Sequence, residues 1–401
     1  MKFKLLVASV ALATAQVQAG GFENARLDTS FMYDEGNLVS FGSVRKDFTV
    51  NGSSLGTTSS LIGDRNASNL SARYEVNDQL SFGLTSYDSG AIHINYQGAG
   101  GNASVNALGP RVDLTADSVA LLSNYAFSES FSISAGARYD KFKVTNADIF
   151  KLTIANAVTK LTAEANGRTL ATANASDQLA GLQAASAASV PTVSSKSDIV
   201  PVVAVAYERS DIALRAELLY QGKSYVKMAS TCGMAALGQN CSPNSTGGLA
   251  EYLTLNFQTG IMEDTLLLAS IHKGKWSKSQ LSVADTELAD PFGQAGPTSA
   301  FSDSTEYSVG LARRLNDSLA ISASYNWEKA GDGTTGSLFT VNDGYKGVTL
   351  GLRYTVEDME FSVGYNYTKL GDVTYSSTAL GSNRLEGNDV KAIGAKATLR
   401  F

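Results

Sequence analysis

The chain has 401 residues, with 32 basic and 38 acidic side chains, a formal net charge of -6, 37 glycines, six prolines, two cysteines and two histidines. Its charge is spread thinly with no basic stripe, which leaves nucleic-acid binding without electrostatic support, and with only His93 and His272 beside Cys232 and Cys241 it is poorly supplied for a metal site or other cofactor. A mean hydropathy of -0.06 suits a soluble protein, but it equally suits a transmembrane barrel, where half the strand residues face a polar interior.

The first residues read as an export signal. Lys2 and Lys4 are basic, Leu5 to Ala15 is an apolar run, and Val17-Gln18-Ala19 has small-x-small spacing. These predict a signal peptide over 1–19 and a mature chain from about Gly20. The run is too short to span a bilayer, and no later stretch approaches 18 uncharged apolar residues, so no membrane-spanning helix is expected. Residues 20–36 contain Phe22, Leu27, Phe31, Met32 and Tyr33, too apolar for a solvated tail. They are expected to fold inside whatever follows as a small plug; a disordered leader is the competing reading.

From residue 37 to 401 the dominant pattern is apolar/polar alternation of period two, in blocks of about ten residues. Ile393, Ala395, Ala397, Leu399 and Phe401 share one face, as do Met359, Phe361, Val363, Tyr365 and Tyr367. Leu319, Ile321, Ala323, Tyr325 and Trp327 repeat the pattern, and so do Ile212, Leu214, Ala216, Leu218 and Tyr220. The pattern predicts fourteen strands near 37–50, 69–76, 79–96, 117–127, 131–144, 199–209, 212–227, 250–262, 265–276, 304–314, 319–329, 345–356, 359–370 and 389–401. Connections alternate short and long, the short ones carrying Asn and Asp as in Asn316-Asp317 and Glu357-Asp358, residues that tolerate tight turns. Aromatics gather toward strand ends, where half-polar rings suit a membrane interface. An even strand count, short turns on one side and long loops on the other are the marks of an antiparallel up-and-down β-barrel of a Gram-negative outer membrane. Its terminal strand, ending in Phe401, is expected to be read by the barrel-assembly machinery, and its outer face to meet membrane lipid and lipopolysaccharide.

Two features stand outside the alternation. The segment from about 146 to 197 is rich in Ala, Leu, Asn and Gln. Ile154, Val158 and Leu161 fall at helical spacing, as do Leu179 and Leu182, and Gly167 and Pro191 punctuate it; a long external loop with short amphipathic helices is expected. Cys232 and Cys241 read as a disulfide closing one small loop in an exported protein, or else as two unpaired thiols.

Several stretches, in order, resemble the FadL/TodX family of outer-membrane hydrophobic-compound transporters. They are Ser40-Phe41-Gly42-Ser43-Val44, Ser81-Phe82-Gly83-Leu84, Val205-Ala206-Tyr207-Glu208 with Ile212-Ala213-Leu214-Arg215, Leu255-Asn256-Phe257-Gln258-Thr259-Gly260 with Asp264-Thr265-Leu266, Trp276-Ser277, and Lys396-Ala397-Thr398-Leu399-Arg400-Phe401. The resemblance implies a fourteen-stranded monomer with an N-terminal hatch, external loops that capture a hydrophobic ligand such as a long-chain fatty acid, an inner pocket, and lateral release through a kink in the third strand. Tyr87-Asp88-Ser89-Gly90-Ala91 interrupts the third strand and is the candidate for that opening, as a bulge rather than a turn. Val158, Leu161, Leu170, Leu179 and Leu182 are candidate contacts for an apolar tail. Arg138, Arg168 and Arg215 are candidate partners for a carboxylate, with Asp140 and Glu217 as their competing internal acids. Phe22, Leu27, Phe31 and Tyr33 are the candidate hatch residues. Where the family's hatch carries Asn-Pro-Ala, this chain has Tyr33-Asp34-Glu35-Gly36-Asn37.

Other functions compete. A lipid hydrolase needs a nucleophile beside a base, and no Gly-x-Ser-x-Gly elbow accompanies His93 or His272. A general diffusion porin would hold an open aqueous pore, and an adhesive barrel would use its loops on a host surface. The apolar loop and the aromatic N-terminus favour a transporter.

Overall fold

The computed structural model describes residues 21–52, 56–100, 111–148, 194–229, 244–281, 299–335, 337, 339–377 and 381–401. Fourteen strands form the wall: β1 (Leu38–Thr49), β2 (Arg65–Glu75), β3 (Leu80–Asn95), β4 (Arg111–Ala126), β5 (Phe131–Asp148), β6 (Ser194–Arg209), β7 (Leu214–Gln221), β8 (Tyr252–Met262), β9 (Thr265–Gly274), β10 (Ser304–Arg314), β11 (Leu319–Glu328), β12 (Tyr345–Val356), β13 (Met359–Leu370) and β14 (Asp389–Arg400). Each is antiparallel to its neighbours, and β14 closes on β1 from Leu38↔Arg400 to Thr49↔Asp389.

The alternation is realised as two faces. Along β13, Met359, Phe361, Val363, Tyr365 and Tyr367 are exposed while Glu360, Ser362, Asn366 and Thr368 are buried. Apolar side chains outside and polar side chains inside are the reverse of a soluble domain, and they match a wall with hydrocarbon around it. Aromatic clusters mark both rims. Tyr307, Tyr325 and Trp327 stand at one (centroids 5.3 and 5.6 Å apart), and Phe127, Phe131 and Tyr207 at the other (6.2 and 4.8 Å). Leu121, Leu255, Leu311 and Leu350 lie on the exposed face between them.

The short connections are 76–79, 127–130, 210–213, 263–264, 315–318 and 357–358, all at one end of the barrel. Three of these turns use left-handed backbone at a non-glycine residue, Ala213, Asp264 and Glu357. Both chain ends of the wall meet there, where the Phe401 N–H donates to the Asn37 carbonyl at 3.0 Å. The long connections gather at the opposite, loop end and carry two small sheets. Val226–Ala229 pairs with Asn244–Gly247, and Val373–Ser377 lies between Thr334–Thr335 and Gly381–Leu385.

All fourteen strands lie where the alternation placed them, but several reach further at the loop end. β2 begins at Arg65 rather than 69, β4 at Arg111 rather than 117, β6 at Ser194 rather than 199, and β5 runs on to Asp148. There the wall has passed beyond the apolar belt and its outer face is polar, so the apolar-outward signal fades while the ladder continues; on β4 the inner face carries Val112, Leu114 and Ala116 instead. The long insertion is correspondingly shorter than 146–197, because 146–148 and 194–197 are strand. Its interior, residues 149–193, lies outside the described residues, as do the expected signal segment over 1–19 and Cys232 and Cys241. β7 stops at Gln221 rather than running to 227.

The face assignment is testable. Leu350, exposed midway along β12, replaced by Arg should lower unfolding stability in phospholipid vesicles by about 2–4 kcal/mol. The inward neighbour Thr349→Ala should cost about 1 kcal/mol. Equal effects at the two positions would reject the assignment.

Candidate functional site

The lumen is divided along its length. The loop-end half is apolar: Phe48, Leu61, Ile62, Ile92, Ile94, Val112, Phe142, Tyr252, Trp276, Phe301 and Val390 are among the residues of one buried cluster. The turn-end half is polar and holds a cavity of about 330 Å³, whose lining includes Lys46, Arg215, Glu217, Asn256, Gln258, Glu306, Ser308, Asn326 and Lys396.

Residues 21–37 run down through both halves. Phe22 lies in the apolar cluster with its ring 5.0 Å from Trp276 and 6.0 Å from Phe301; burying such a side chain is worth about 1.5–3 kcal/mol. Leu27, Phe31 and Met32 belong to a second buried cluster with Tyr87, Leu122 and Leu219. Phe31 and Met32 come this close to the wall because β3 has glycine there: a Cβ on Gly83 would lie 2.0 Å from the Met32 sulfur.

Polar contacts tie the segment to strands on opposite sides. Arg26 donates to both carboxylate oxygens of Glu306 on β10 (2.5 and 3.0 Å) and to Glu23 (3.0 Å). Thr29 and the Tyr33 hydroxyl donate to Glu217 on β7, each at 2.7 Å, and Asn256 donates to the same carboxylate at 2.8 Å. Lys396 on β14 lies 3.6 Å from Asp28, and Arg400 lies 3.1 Å from Asp34. Burial by itself would raise the Glu23 carboxyl, but His272 and Arg26 outweigh it and hold it at about 2, below the usual 4.5.

The wall is interrupted between β2 and β3. Their ladder runs only from Glu75↔Ser81 to Asn69↔Tyr87. On its other side β3 pairs Tyr87 with Ser118 and then Gly90 with Ala116, so three steps on β3 meet two on β4. This extra residue is a bulge, and it reverses the alternation: Thr85 and Tyr87 face inward before it, Ile92 and Ile94 after it. Beyond the bulge the free edge of β3 is satisfied from elsewhere. The Asn24 N–H donates to the Ser89 carbonyl and the Ala91 N–H to the Phe22 carbonyl (2.9 and 3.0 Å). Gly63 N–H donates to His93 and Asn95 N–H to Leu61, both at 2.9 Å. Across the gap, the backbone N–H and hydroxyl of Ser68 donate to Asp88 at 2.7 and 3.1 Å.

The candidate residues are thus placed as follows. Tyr87, Asp88, Ser89 and Gly90 lie at the bulge, and Phe22, Leu27, Phe31 and Tyr33 inside the barrel. Arg138 is fully buried and occupied, donating to Asp140 (2.7 and 2.9 Å) and Gln221 (2.6 Å). Arg215 donates to Gln258 at 3.2 Å and stands 4.6 Å over the Tyr33 ring. Arg168 and all five candidate leucine and valine contacts lie outside the described residues. His272 is buried with Nδ1 2.8 Å from the Thr254 hydroxyl, and His93 meets Asp113 at 3.1 Å. Sequence reasoning missed Lys46 and Arg65, two inward cations at the edge of the gap. Lys46 was visible in the inward series Ser40, Gly42, Val44, Lys46, Phe48, where a lysine stands out.

No protein-family model matches the chain, and neither does any curated protein. Solved structures do. A Pseudomonas aeruginosa FadL homologue superposes with a TM-score of 0.67 at 12% identity, covering 92% of this chain and 91% of that one. The P. putida toluene transporter TodX gives 0.57 at 12% identity over 92% and 91%. CymD, a monoaromatic hydrocarbon channel, gives 0.52 at 12% identity over 92% and 90%. The chain therefore has the fold of the FadL-like outer-membrane channels, a closed fourteen-stranded barrel.

Because the Glu23 carboxyl is held low, its contribution to docking of the N-terminal segment is complete above pH 4.5 and lost as pH falls towards 2. Planar-bilayer conductance should stay low and constant down to about pH 4.5 and rise below it. Glu23→Gln should start higher and respond less to acid. A flat profile for the unaltered chain would contradict this docking role.

Proposed function

We propose that this protein is an outer-membrane uptake channel for hydrophobic compounds, with long-chain fatty acids as the substrate class it serves. The observation that carries the reading is the interrupted wall between β2 and β3, closed from the lumen by residues 22–24. The FadL-like fold supports it, and so do neighbours described as a toluene transporter and a monoaromatic hydrocarbon channel.

In this reading the external loops, including the segment with Val158, Leu161, Leu170, Leu179 and Leu182, capture the ligand. The apolar loop-end half of the lumen receives it next, each buried methylene contributing about 0.8 kcal/mol. Residues 20–36 act as the plug that keeps the ligand out of the polar half below. The ligand then leaves sideways at Tyr87–Gly90, where displacing residues 22–24 removes the backbone partners that fill the gap. The aliphatic outer face receives it into the membrane. The protein works as a monomer, without a cofactor or a catalytic step, contacts lipopolysaccharide on its outer face and is assembled through its C-terminal strand. A second reading, a general diffusion porin, draws support from the 330 Å³ polar cavity; large steady ion currents without hydrophobic ligand binding would favour it.

The lateral route is tested by a lock across the gap. In a chain with Cys232 and Cys241 changed to Ser, cysteines at Ser68 and Asp88 should form a disulfide that abolishes most uptake of radiolabelled oleate by cells, and dithiothreitol should restore it. Undiminished uptake in the oxidised state would eliminate lateral release. Separately, removing residues 21–36 should raise single-channel conductance; an unchanged value would mean that this segment does not obstruct the lumen.

A further inference from the structure

Several exposed cations near the loop end are neutralised by a neighbour. Arg45 has Asp47 and Asp64, Lys275 has Glu251, and Arg384 has Asp372 and Glu386. One sector of the wall differs. There β12, β13 and β14 present Lys346, Lys369 and Lys391, each in the outward series of its strand and each exposed. Among the described residues none of the three forms an ion pair.

The three are neighbours. Lys346 and Lys369 are direct cross-strand partners, and Lys391 lies diagonally from Lys369, whose partner on β14 is Asp389. Like charges placed opposite one another are destabilising, so the patch favours a counter-charge from outside the chain. The acidic residues of the same ladders do not supply it. Asp389 forms no ion pair among the described residues, and its Oδ1 has no hydrogen-bond partner. Asp47, opposite Lys391, is taken by Arg45 at 2.7 Å. Aromatic rings alternate with the amines. Trp327 on β11 is opposite Lys346, and Tyr367 on β13 is opposite Lys391. Trp327 in turn stacks with Tyr307 and Tyr325. Trp and Tyr settle at the level of lipid head groups. The loop end lies away from the short turns and the chain ends, which places this level in the external leaflet.

We propose that Lys346, Lys369 and Lys391, with Trp327 and Tyr367, form a docking site on the outer face for the phosphorylated disaccharide head group of lipid A. Clustered basic side chains at a membrane surface attract anionic lipid. Three unpaired amines on adjacent strands suit a head group carrying two phosphates, where a phospholipid offers one. The amines reach the phosphates as charge-assisted donors, and the ring faces lie against the sugars. The acyl chains run down over exposed Val348, Leu350 and Val363. The site is on the outside of the wall, so it is independent of which compound passes through the lumen.

The test uses native mass spectrometry on purified full-length protein in a non-ionic detergent. The added probes are bisphosphorylated lipid A, monophosphorylated lipid A and phosphatidylglycerol. Bisphosphorylated lipid A should bind at least about tenfold more tightly than phosphatidylglycerol, the effect of one further charge-assisted hydrogen bond, with the monophosphorylated form between them. Lys346→Gln, Lys369→Gln and Lys391→Gln should each weaken lipid A binding about fivefold. The triple variant should bind bisphosphorylated lipid A and phosphatidylglycerol within about twofold of each other. A control triple variant, Lys141→Gln, Lys143→Gln and Lys273→Gln, removes as many exposed lysines from β5 and β9 and should keep the full preference. Heat-modifiable gel mobility checks that each variant is folded. Equal affinities in the unaltered chain, or no lipid A binding at all, overturn the proposal. So does a preference that survives the triple variant or is lost equally in the control. Each of these outcomes leaves the uptake reading standing.

Discussion

In hydrocarbon a backbone N–H or C=O group has no water to turn to, so a wall inside a membrane must satisfy every such group from within the protein. A closed antiparallel barrel does this by pairing each strand on both sides. Between β2 and β3, however, the strands part beyond Asn69 and Tyr87 while β3 runs on to Asn95. At that place the requirement is met by residues that belong to no wall strand: Phe22 and Asn24 from the N-terminal segment, Leu61 and Gly63 from the following loop. The segment in the lumen is thus part of the wall's own hydrogen bonding, which ties its position to the integrity of the barrel.

The same constraint explains the division of the interior. Side chains at the loop end form an apolar cluster around Trp276 and Phe22. Below it, the segment is held by ionised and hydrogen-bonded groups, Arg26 with Glu306, Tyr33 and Thr29 with Glu217, Arg400 with Asp34. Such contacts are directional and leave little freedom to a chain that would otherwise swing in an aqueous pore. The break in the wall lies at the junction of the two regions.

Much of the fold was legible because lipid outside and polar lumen inside impose period two on every strand. Leu319 to Trp327 and Met359 to Tyr367 show it without interruption. The bulge was legible as well, since Gly90 sits where the alternation slips. What could not be read were the loop-end strand extensions, where the outer face is polar, and the pairing state of charges. Arg138 and Arg215 stood out as inward cations, with Asp140, two residues along the same face, as a competing acid for the first; that Gln221 also takes Arg138 could not be read. Lys46 stands out in the inward series of β1, but that Asn24 takes its ammonium could not be read from the sequence.

The seam between β1 and β14 carries a consequence for biogenesis. It joins the first strand of the cylinder to the last along twelve residue pairs, and the segment inside precedes the first of them. A thread with partners on both sides of the lumen is hard to pull through a finished tube. The order of events is therefore constrained: the leading residues are enclosed while the curled sheet is still open, and the arrival of the final strand shuts them in.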